Sequence, residues 1–135
     1  MALLTWDNKY SVGVKSIDGQ HSTIFGLLND LHAAMLSGQA QRLTGPLLQK
    51  LVRYTQIHFA EEEQMMATAS YPGLTVHQSK HSDLIKQVEK FASRFERGEV
   101  NLSLDLMNFL RDWFANHFQR VDHEYGPWLN ERGAK

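Results

Sequence analysis

The sequence predicts an all-α protein, an up-down-up-down antiparallel four-helix bundle that follows an extended N-terminal arm. Apolar residues recur at steps of three and four along four long segments, and no segment shows the alternation typical of a strand. The segments are joined by short connections, which make successive helices antiparallel neighbours. The 135 residues suffice for one hydrophobic core. We therefore expect a single domain, with the arm over about 1–17 and the bundle over about 18–130.

The first two helices follow from apolar periodicity and from residues that start or stop a helix. The first is predicted from about Gln20 to Ser37, because Gly38 then supplies a C-terminal signal. The second is predicted from the entry at Thr44-Gly45-Pro46 to about Ala67. Pro46 would lie in the first turn of this helix, where its missing N–H matters least.

The third and fourth helices are bounded by turn residues. After the turn signal at 70–73, Thr75 and Gln78 have the Thr-x-x-Gln spacing of a capping box, which predicts the start of the third helix there. This helix should end at Gly98. The fourth is predicted to begin near Asn101 or Ser103 and to end before the Gly126-Pro127 pair.

Composition limits the classes of partner. The formal net charge is −1, from 14 basic and 15 acidic residues, and neither sign forms a long block. We therefore expect no binding to nucleic acid or to an acidic membrane surface. No signal peptide or membrane span is visible, which predicts a cytoplasmic protein, and we expect a monomer rather than an oligomer. There is no cysteine, so a metal site would need histidine and carboxylate ligands.

Most of the seven histidines lie on the apolar faces of the predicted helices, where polar groups are costly unless compensated. The spacing of four residues from His58 to Glu62 and from His77 to His81 places each pair on one inward face. In an antiparallel bundle the starts of helices one and three and the ends of helices two and four meet at one end. The convergence predicts a metal site for iron, zinc or manganese. Its predicted ligands are His21, His58, Glu62, His77, His81, His117 and Asp122.

Asp122 joins this set only if the fourth helix is distorted. Five residues separate His117 from Asp122, and five steps of about 100° leave the second side chain roughly 140° around a regular helix. We therefore predict a π-type widening between them, since such turns occur mostly at functional sites. Two other histidines are excluded: His32 lies roughly 16 Å along the axis from His21, and His123 should face elsewhere.

The residues flanking the ligands have several possible roles. Asp18 and Gln20 either form hydrogen bonds to ligands or belong to a turn or cap, and Glu61 and Glu63 are interpreted as a solvated flank. No further acid or base is expected at the site. A bundle of hydrogen-bonded core histidines without metal would have to place seven inward polar groups, two of them carboxylates, at one level.

Five short motifs together resemble the hemerythrin family, specifically its single-domain bacterial form. The motifs are Asp18-Gly19-Gln20-His21, His58-x-x-x-Glu62, His77-x-x-x-His81, His117-x-x-x-x-Asp122 and Tyr125-Gly126-Pro127. The resemblance covers essentially the whole chain. It implies a non-heme di-iron site with a bridging oxo or hydroxo group, and the choice of iron over other metals depends on it.

The resemblance also implies individual roles. His77, His81 and His117 would hold one iron, and His21 and His58 the other. Glu62 and Asp122 would bridge the two.

The implied function is reversible O₂ binding by a carrier or store that is not an enzyme, with an oxygen-consuming enzyme as a candidate recipient of the gas. Apolar residues within a turn of the ligands would form a dry wall for O₂, although each is also explained as ordinary core. They are Ile24, Phe25, Phe59, Trp113, Phe114 and Tyr125. The alternatives are a di-iron enzyme that acts on peroxide or nitric oxide, and an O₂- or iron-sensing module.

Overall fold

Four long helices dominate the computed structural model, which describes residues 3–99 and 104–134, without the side chains at 40, 41, 104 and 105. The α-helices are α1 (Lys15–Leu36), α2 (Ala40–Thr68), α3 (Leu74–Glu96), α4 (Leu104–Asn116) and the short α5 (Gly126–Glu131). Helix α1 packs on α2 and α4, and α2 packs on α3. No strand occurs in the described ranges. The predicted all-α antiparallel bundle is thus confirmed.

The interior of the bundle is apolar along most of its length. Leu28, Leu31, Leu51 and Leu84 are each at most 1% exposed, and full burial of such a side chain contributes about 2 kcal/mol of transfer free energy. A second, smaller cluster of buried residues lies at the end where α5 begins. It contains Val12, Val14, Ile17, Met66, Tyr125 and Leu129. Together the two clusters include residues of α1 from Ile17 to Met35 and of α2 from Leu47 to Met66.

The N-terminal arm packs against α1, as predicted. The rings of Trp6 and Tyr10 contact Phe25, with centroids 5.6 and 4.9 Å away. The Asn29 side chain also pairs with both backbone groups of Leu4, at 2.9 Å each. Because backbone polar groups need partners when water is excluded, these bonds fix the path of the arm.

Asp18 anchors the other end of the arm. Its carboxylate accepts hydrogen bonds from the Ser11 hydroxyl at 2.6 Å and from the Val12 backbone N–H at 2.9 Å. Of the two roles considered for Asp18, the structure therefore supports the turn, since both partners belong to the arm. Helix α1 begins at Lys15, five residues before the predicted start.

One predicted helix start and one predicted helix cap are wrong. Helix α2 begins at Ala40, so Pro46 lies inside the helix and not in its first turn. One intrahelical N–H is missing there, which the rest of a 29-residue helix tolerates. Helix α3 begins at Leu74 without a side-chain cap, so Thr75 forms no capping box. The predicted start of the fourth helix at 101–103 lies outside the described residues.

The Gly126-Pro127 pair, predicted to follow the end of the fourth helix, begins the short helix α5. A π-helical turn follows α4, a 3₁₀ turn follows that, and Pro127 then occupies the first turn of α5. Gly126 is buried, and a Cβ atom on it would lie 2.2 Å from the Val12 carbonyl oxygen. Only glycine permits this approach of the arm to the start of α5.

We predict that Gly126→Ala lowers the free energy of unfolding by about 1–3 kcal/mol, as over-packing of a buried site typically does. Gly26→Ala is the matched control, because Gly26 is exposed in α1 and a Cβ atom on it would have no atom within 4 Å. Its added methyl group should raise stability by up to about 1 kcal/mol through helix propensity. Urea unfolding of the metal-free variants measures both changes. If both substitutions stabilised the protein equally, the close contact between position 126 and the Val12 carbonyl oxygen would be contradicted.

Candidate metal centre

Seven polar side chains from α1, α2, α3 and the segment after α4 converge in the interior. They are His21, His58, Glu62, His77, His81, His117 and Asp122, and none is more than 4% exposed. Their ligand atoms form two sets, each within 4.8 Å, and both sets contain Glu62 and Asp122. The first set adds His77, His81 and His117, called here the three-histidine group. The second adds His21 and His58, the two-histidine group.

The predicted distortion of the last long helix is present. Residues His117–Val121 form a π-helical turn, and the Asp122 N–H donates to the His117 carbonyl across five residues. The wider turn brings both side chains to the same side, with His117 Nε2 2.9 Å from Asp122 Oδ1. A regular helix would have separated them by roughly 140°.

Glu62 divides its two carboxylate oxygens between the groups. Its Oε1 lies 2.9 Å from His77 Nε2 and 3.2 Å from His81 Nε2. Its Oε2 lies 3.1 Å from His58 Nε2 and 3.4 Å from His21 Nε2. One side chain thus faces two separate sets of imidazoles.

Asp122 does the same from the opposite element. Its Oδ1 lies 2.9 Å from Nε2 of both His77 and His117, and its Oδ2 lies 3.1 Å from His21 Nε2. Both oxygens are buried and lack a directed hydrogen bond, despite these short distances. Such atoms are normally satisfied in a native core, so their geometry points to a further binding partner.

The spacing of the nitrogens fits metal ligation. The Nε2 atoms of His21 and His58 are 3.0 Å apart, and those of His81 and His117 are 3.1 Å apart. Two adjacent octahedral ligands, each about 2.1 Å from a metal ion, lie about 3.0 Å from one another. The buried cluster of histidines and carboxylates therefore fits a metal site.

The two buried carboxylates control the protonation of the cluster. Burial opposes their ionisation, yet hydrogen bonds from the histidines hold the pKa of Glu62 well below its ordinary value. Burial and the charge of Glu62 also oppose ionisation of Asp122, but contacts with His117 and His21 lower its pKa. Burial disfavours the charged forms of His21 and His77, but their contacts with Asp122 and Glu62 outweigh it and raise each pKa to about 9. Burial lowers the pKa of His117.

Aromatic rings cover the ligand imidazoles. Phe59 stacks on His81 with centroids 3.6 Å apart, and half-buried Trp113 stacks on His117 at 4.5 Å. Ile24, Phe25 and Phe114 are buried in the main core. That these residues line an O₂ pocket stays a prediction.

Phe118 is an aromatic contact that the sequence reasoning missed. It is fully buried and stacks on His21 at 3.6 Å. Its position directly after His117 concealed it, because a regular helix turns neighbouring side chains about 100° apart.

Tyr125 forms a polar contact within the cluster in addition to its apolar packing. Its hydroxyl donates a 2.8 Å hydrogen bond to Glu62 Oε2. Burial and the negative charges of Asp122 and Glu62 raise the pKa of Tyr125 well above its ordinary value, so the phenol keeps its proton. Tyr125 is thus a hydrogen-bond donor at the site, and the expectation of no further acid or base there stays a prediction.

Two residues outside the cluster accept hydrogen bonds from the Nδ1 nitrogens of cluster histidines. Gln20 Oε1 accepts from His58 Nδ1 at 2.5 Å, and the Gln20 amide donates to Glu61. Glu63 Oε2 accepts from His81 Nδ1 at 2.8 Å, with 24% of its side chain exposed. The interpretation of Glu63 as merely a solvated flank is wrong.

The two excluded histidines lie outside both sets. His32 is half-buried on α1 and has no part in the cluster. His123 follows Asp122 but is exposed, and its Nδ1 lies 3.1 Å from the Ser11 carbonyl oxygen, to which it donates.

Within the described part of the chain, no helix is long and apolar enough to cross a membrane.

Known proteins share this sequence and fold. The family model described as the hemerythrin HHE cation binding domain matches residues 12–129. The chain is 34% identical to a bacteriohemerythrin of Methylococcus capsulatus, over 96% of this chain and 99% of the relative. It is 38% identical to one of Stenotrophomonas maltophilia, over 93% and 80%. A myohemerythrin of Riftia pachyptila is 26% identical, over 89% and 88%.

Solved structures agree with this relationship. A crystal structure of wild-type hemerythrin superimposes with a TM-score of 0.90 at 34% identity, covering 95% of this chain and 98% of the other. The region matched by the family model, residues 12–129, contains every residue of the buried cluster. The chain belongs to the hemerythrin family.

Proposed function

We propose that this protein binds O₂ reversibly at a di-iron centre and acts as an O₂ carrier or store. The observation that carries the proposal is the division of both buried carboxylates, Glu62 and Asp122, between two histidine groups. One metal ion needs no such arrangement, whereas two neighbouring ions sharing bridging carboxylates do. The relatives named bacteriohemerythrin and myohemerythrin support iron as the metal.

The residues would divide as follows. The three-histidine group would hold one iron and the two-histidine group the other, while Glu62 and Asp122 bridge both beside an oxo or hydroxo group. Three histidines and two carboxylates give the first iron five protein donors, and two histidines with the same carboxylates give the second four. The second iron therefore has the additional open position that an external ligand needs. The iron pair would supply the reversible electron transfer to O₂.

The surrounding residues support binding without further reaction. His21 and its stacked neighbour Phe118 are both fully buried, so water has little access to the two-histidine group. The Tyr125 hydroxyl directs its proton to Glu62, which keeps that carboxylate oriented. Five imidazoles and only two carboxylates give the site modest negative charge, which disfavours the high oxidation states used by oxygenases.

The direct test is a visible spectrum of the anaerobically reduced protein, recorded again after air is added and after it is removed, with iron determined on the same sample. Two irons per chain and a charge-transfer band that appears and disappears support a reversible O₂ binder. Irreversible oxidation of bound iron would instead favour an enzyme or sensor. A protein without iron would overturn the proposal.

We predict that His58→Ala removes most of the iron from the two-histidine position, because the imidazole has no substitute among its buried neighbours. Bound iron should fall from about two to about one per chain, since loss of a ligand weakens a metal site more than the 10–100-fold typical of an outer hydrogen bond. His32→Ala is the matched control, because His32 lies on α1 outside both ligand sets. Iron analysis and the visible spectrum measure both variants; an unchanged count in His58→Ala would contradict the assignment.

We predict that anaerobic Fe²⁺ binding releases about three protons at pH 7, two from histidines and one from the water that would become the hydroxo bridge. His21 and His77, with pKa values of about 9, are protonated in the metal-free protein, and a metal displaces protons from its ligands. The same histidines stabilise the metal-free fold below pH 6.5, and this contribution is lost as pH rises through 9. Calorimetry in buffers of different ionisation enthalpy counts the protons. Release should fall to about two at pH 9, where the two histidines are each about half protonated, and no dependence on buffer would refute the prediction.

A further inference from the structure

The two hydrogen bonds to outer imidazole nitrogens are not equivalent. His81 Nδ1 donates to a carboxylate, that of Glu63, whereas His58 Nδ1 donates to a neutral amide oxygen, that of Gln20. Among the described residues, no other histidine of the cluster shows a hydrogen bond at Nδ1. The negative partner thus belongs to the three-histidine group and the neutral partner to the two-histidine group.

The surroundings of each partner preserve this difference. Glu63 follows Glu62 on α2 and lies at a groove between α2 and α3, where only 24% of its side chain is exposed. Its charge is therefore less screened than that of a free surface carboxylate. On the other side the Gln20 amide lies between His58 and Glu61 and donates to the latter. This bond fixes the amide oxygen toward His58. The Gln20 side chain therefore lies between the Glu61 charge and the His58 imidazole.

An outer carboxylate changes the electronic character of a ligand imidazole. By accepting the Nδ1 proton it fixes the tautomer with its lone pair on Nε2 and raises the basicity of that nitrogen. A more basic ligand stabilises the higher charge of an oxidised metal ion. A neutral amide fixes the same tautomer with a much smaller electronic effect.

We propose that Glu63 is a positioning residue that stabilises the ferric state of the iron held by the three-histidine group. Gln20, with its neutral amide, leaves the iron of the two-histidine group easier to keep reduced. This inference rests on the proposed di-iron function. It gives the two irons different oxidation tendencies beyond the difference in their number of ligands. The iron with the open position is then the one with the neutral outer partner.

The decisive variant is Glu63→Gln, which retains an oxygen acceptor for His81 but removes the charge. Iron should remain at two per chain. At the potential where half of the wild-type iron in the three-histidine group is reduced, the ratio of ferrous to ferric iron at that position should rise about tenfold, at the lower end of the effects typical of such partners. Anaerobic redox titration measures this ratio independently of O₂ binding. Gln20→Glu combined with Glu61→Gln, which places a carboxylate beside His58 with an amide donor facing it, should lower the ratio of ferrous to ferric iron in the two-histidine group.

Glu89→Gln is the matched control, because Glu89 lines the same groove but accepts its hydrogen bond from Gln56 and contacts no ligand. It should leave the ratio unchanged. A ratio in Glu63→Gln equal to that of the wild type would show a purely structural contact and overturn this inference alone. Equal shifts in Glu63→Gln and Glu89→Gln would also overturn it, since they indicate a general effect of surface charge. A wild-type protein without bound iron would overturn the proposed function as well.

Discussion

Two ionised carboxylates enclosed in an apolar core are the constraint on which the rest of this structure depends. Glu62 and Asp122 have no exposure to solvent, and an isolated charge in such surroundings is strongly unfavourable. Protons on His21 and His77 supply two positive charges against these two negative ones in the metal-free protein. Metal ions would displace those protons and supply positive charge in their place. Positive charge beside the two carboxylates therefore serves both folding and metal binding, and explains why so polar a cluster is compatible with a packed bundle.

The bundle meets this constraint with regular elements wherever the spacing allows it. On α2 and α3 a separation of four residues aims two side chains inward at no cost to the helix. The segment after α4 cannot do so with a separation of five, and a π-helical turn restores the common direction. The segment then leaves the helix axis, and Gly126 admits the Val12 carbonyl where the arm crosses it. The distortion that completes the buried cluster thus also determines where the arm can pack.

Periodicity in the sequence was sufficient to predict the four long helices, the arm and the seven residues of the cluster, because each of these depends on spacing along one chain segment. The start of α2 was wrong because Pro46 is tolerated inside a long packed helix, where tertiary contacts outweigh local propensity. The hydrogen bonds of Tyr125 and Glu63 join residues distant in sequence, and Phe118 reaches His21 only after the helix has widened. Such contacts require the relative placement of several elements, which no local pattern contains.

The two sides of the cluster differ in their access to the surface, and this difference agrees with the chemistry proposed for each. His21 and Phe118 are sealed in the core, whereas Trp113 stacks on His117 at the edge of a surface cavity of about 300 Å³. Loss of hydration costs an apolar gas nothing when it enters a dry site, so the sealed core on the two-histidine side is compatible with the proposed binding of O₂. Charge is less costly near the surface, where water partly solvates it, and Glu63 occupies that side. The two sides thus differ in particular contacts: the sealed stack of Phe118 on His21 lies on the two-histidine side, whereas the charged Glu63 and the half-buried Trp113 lie on the three-histidine side.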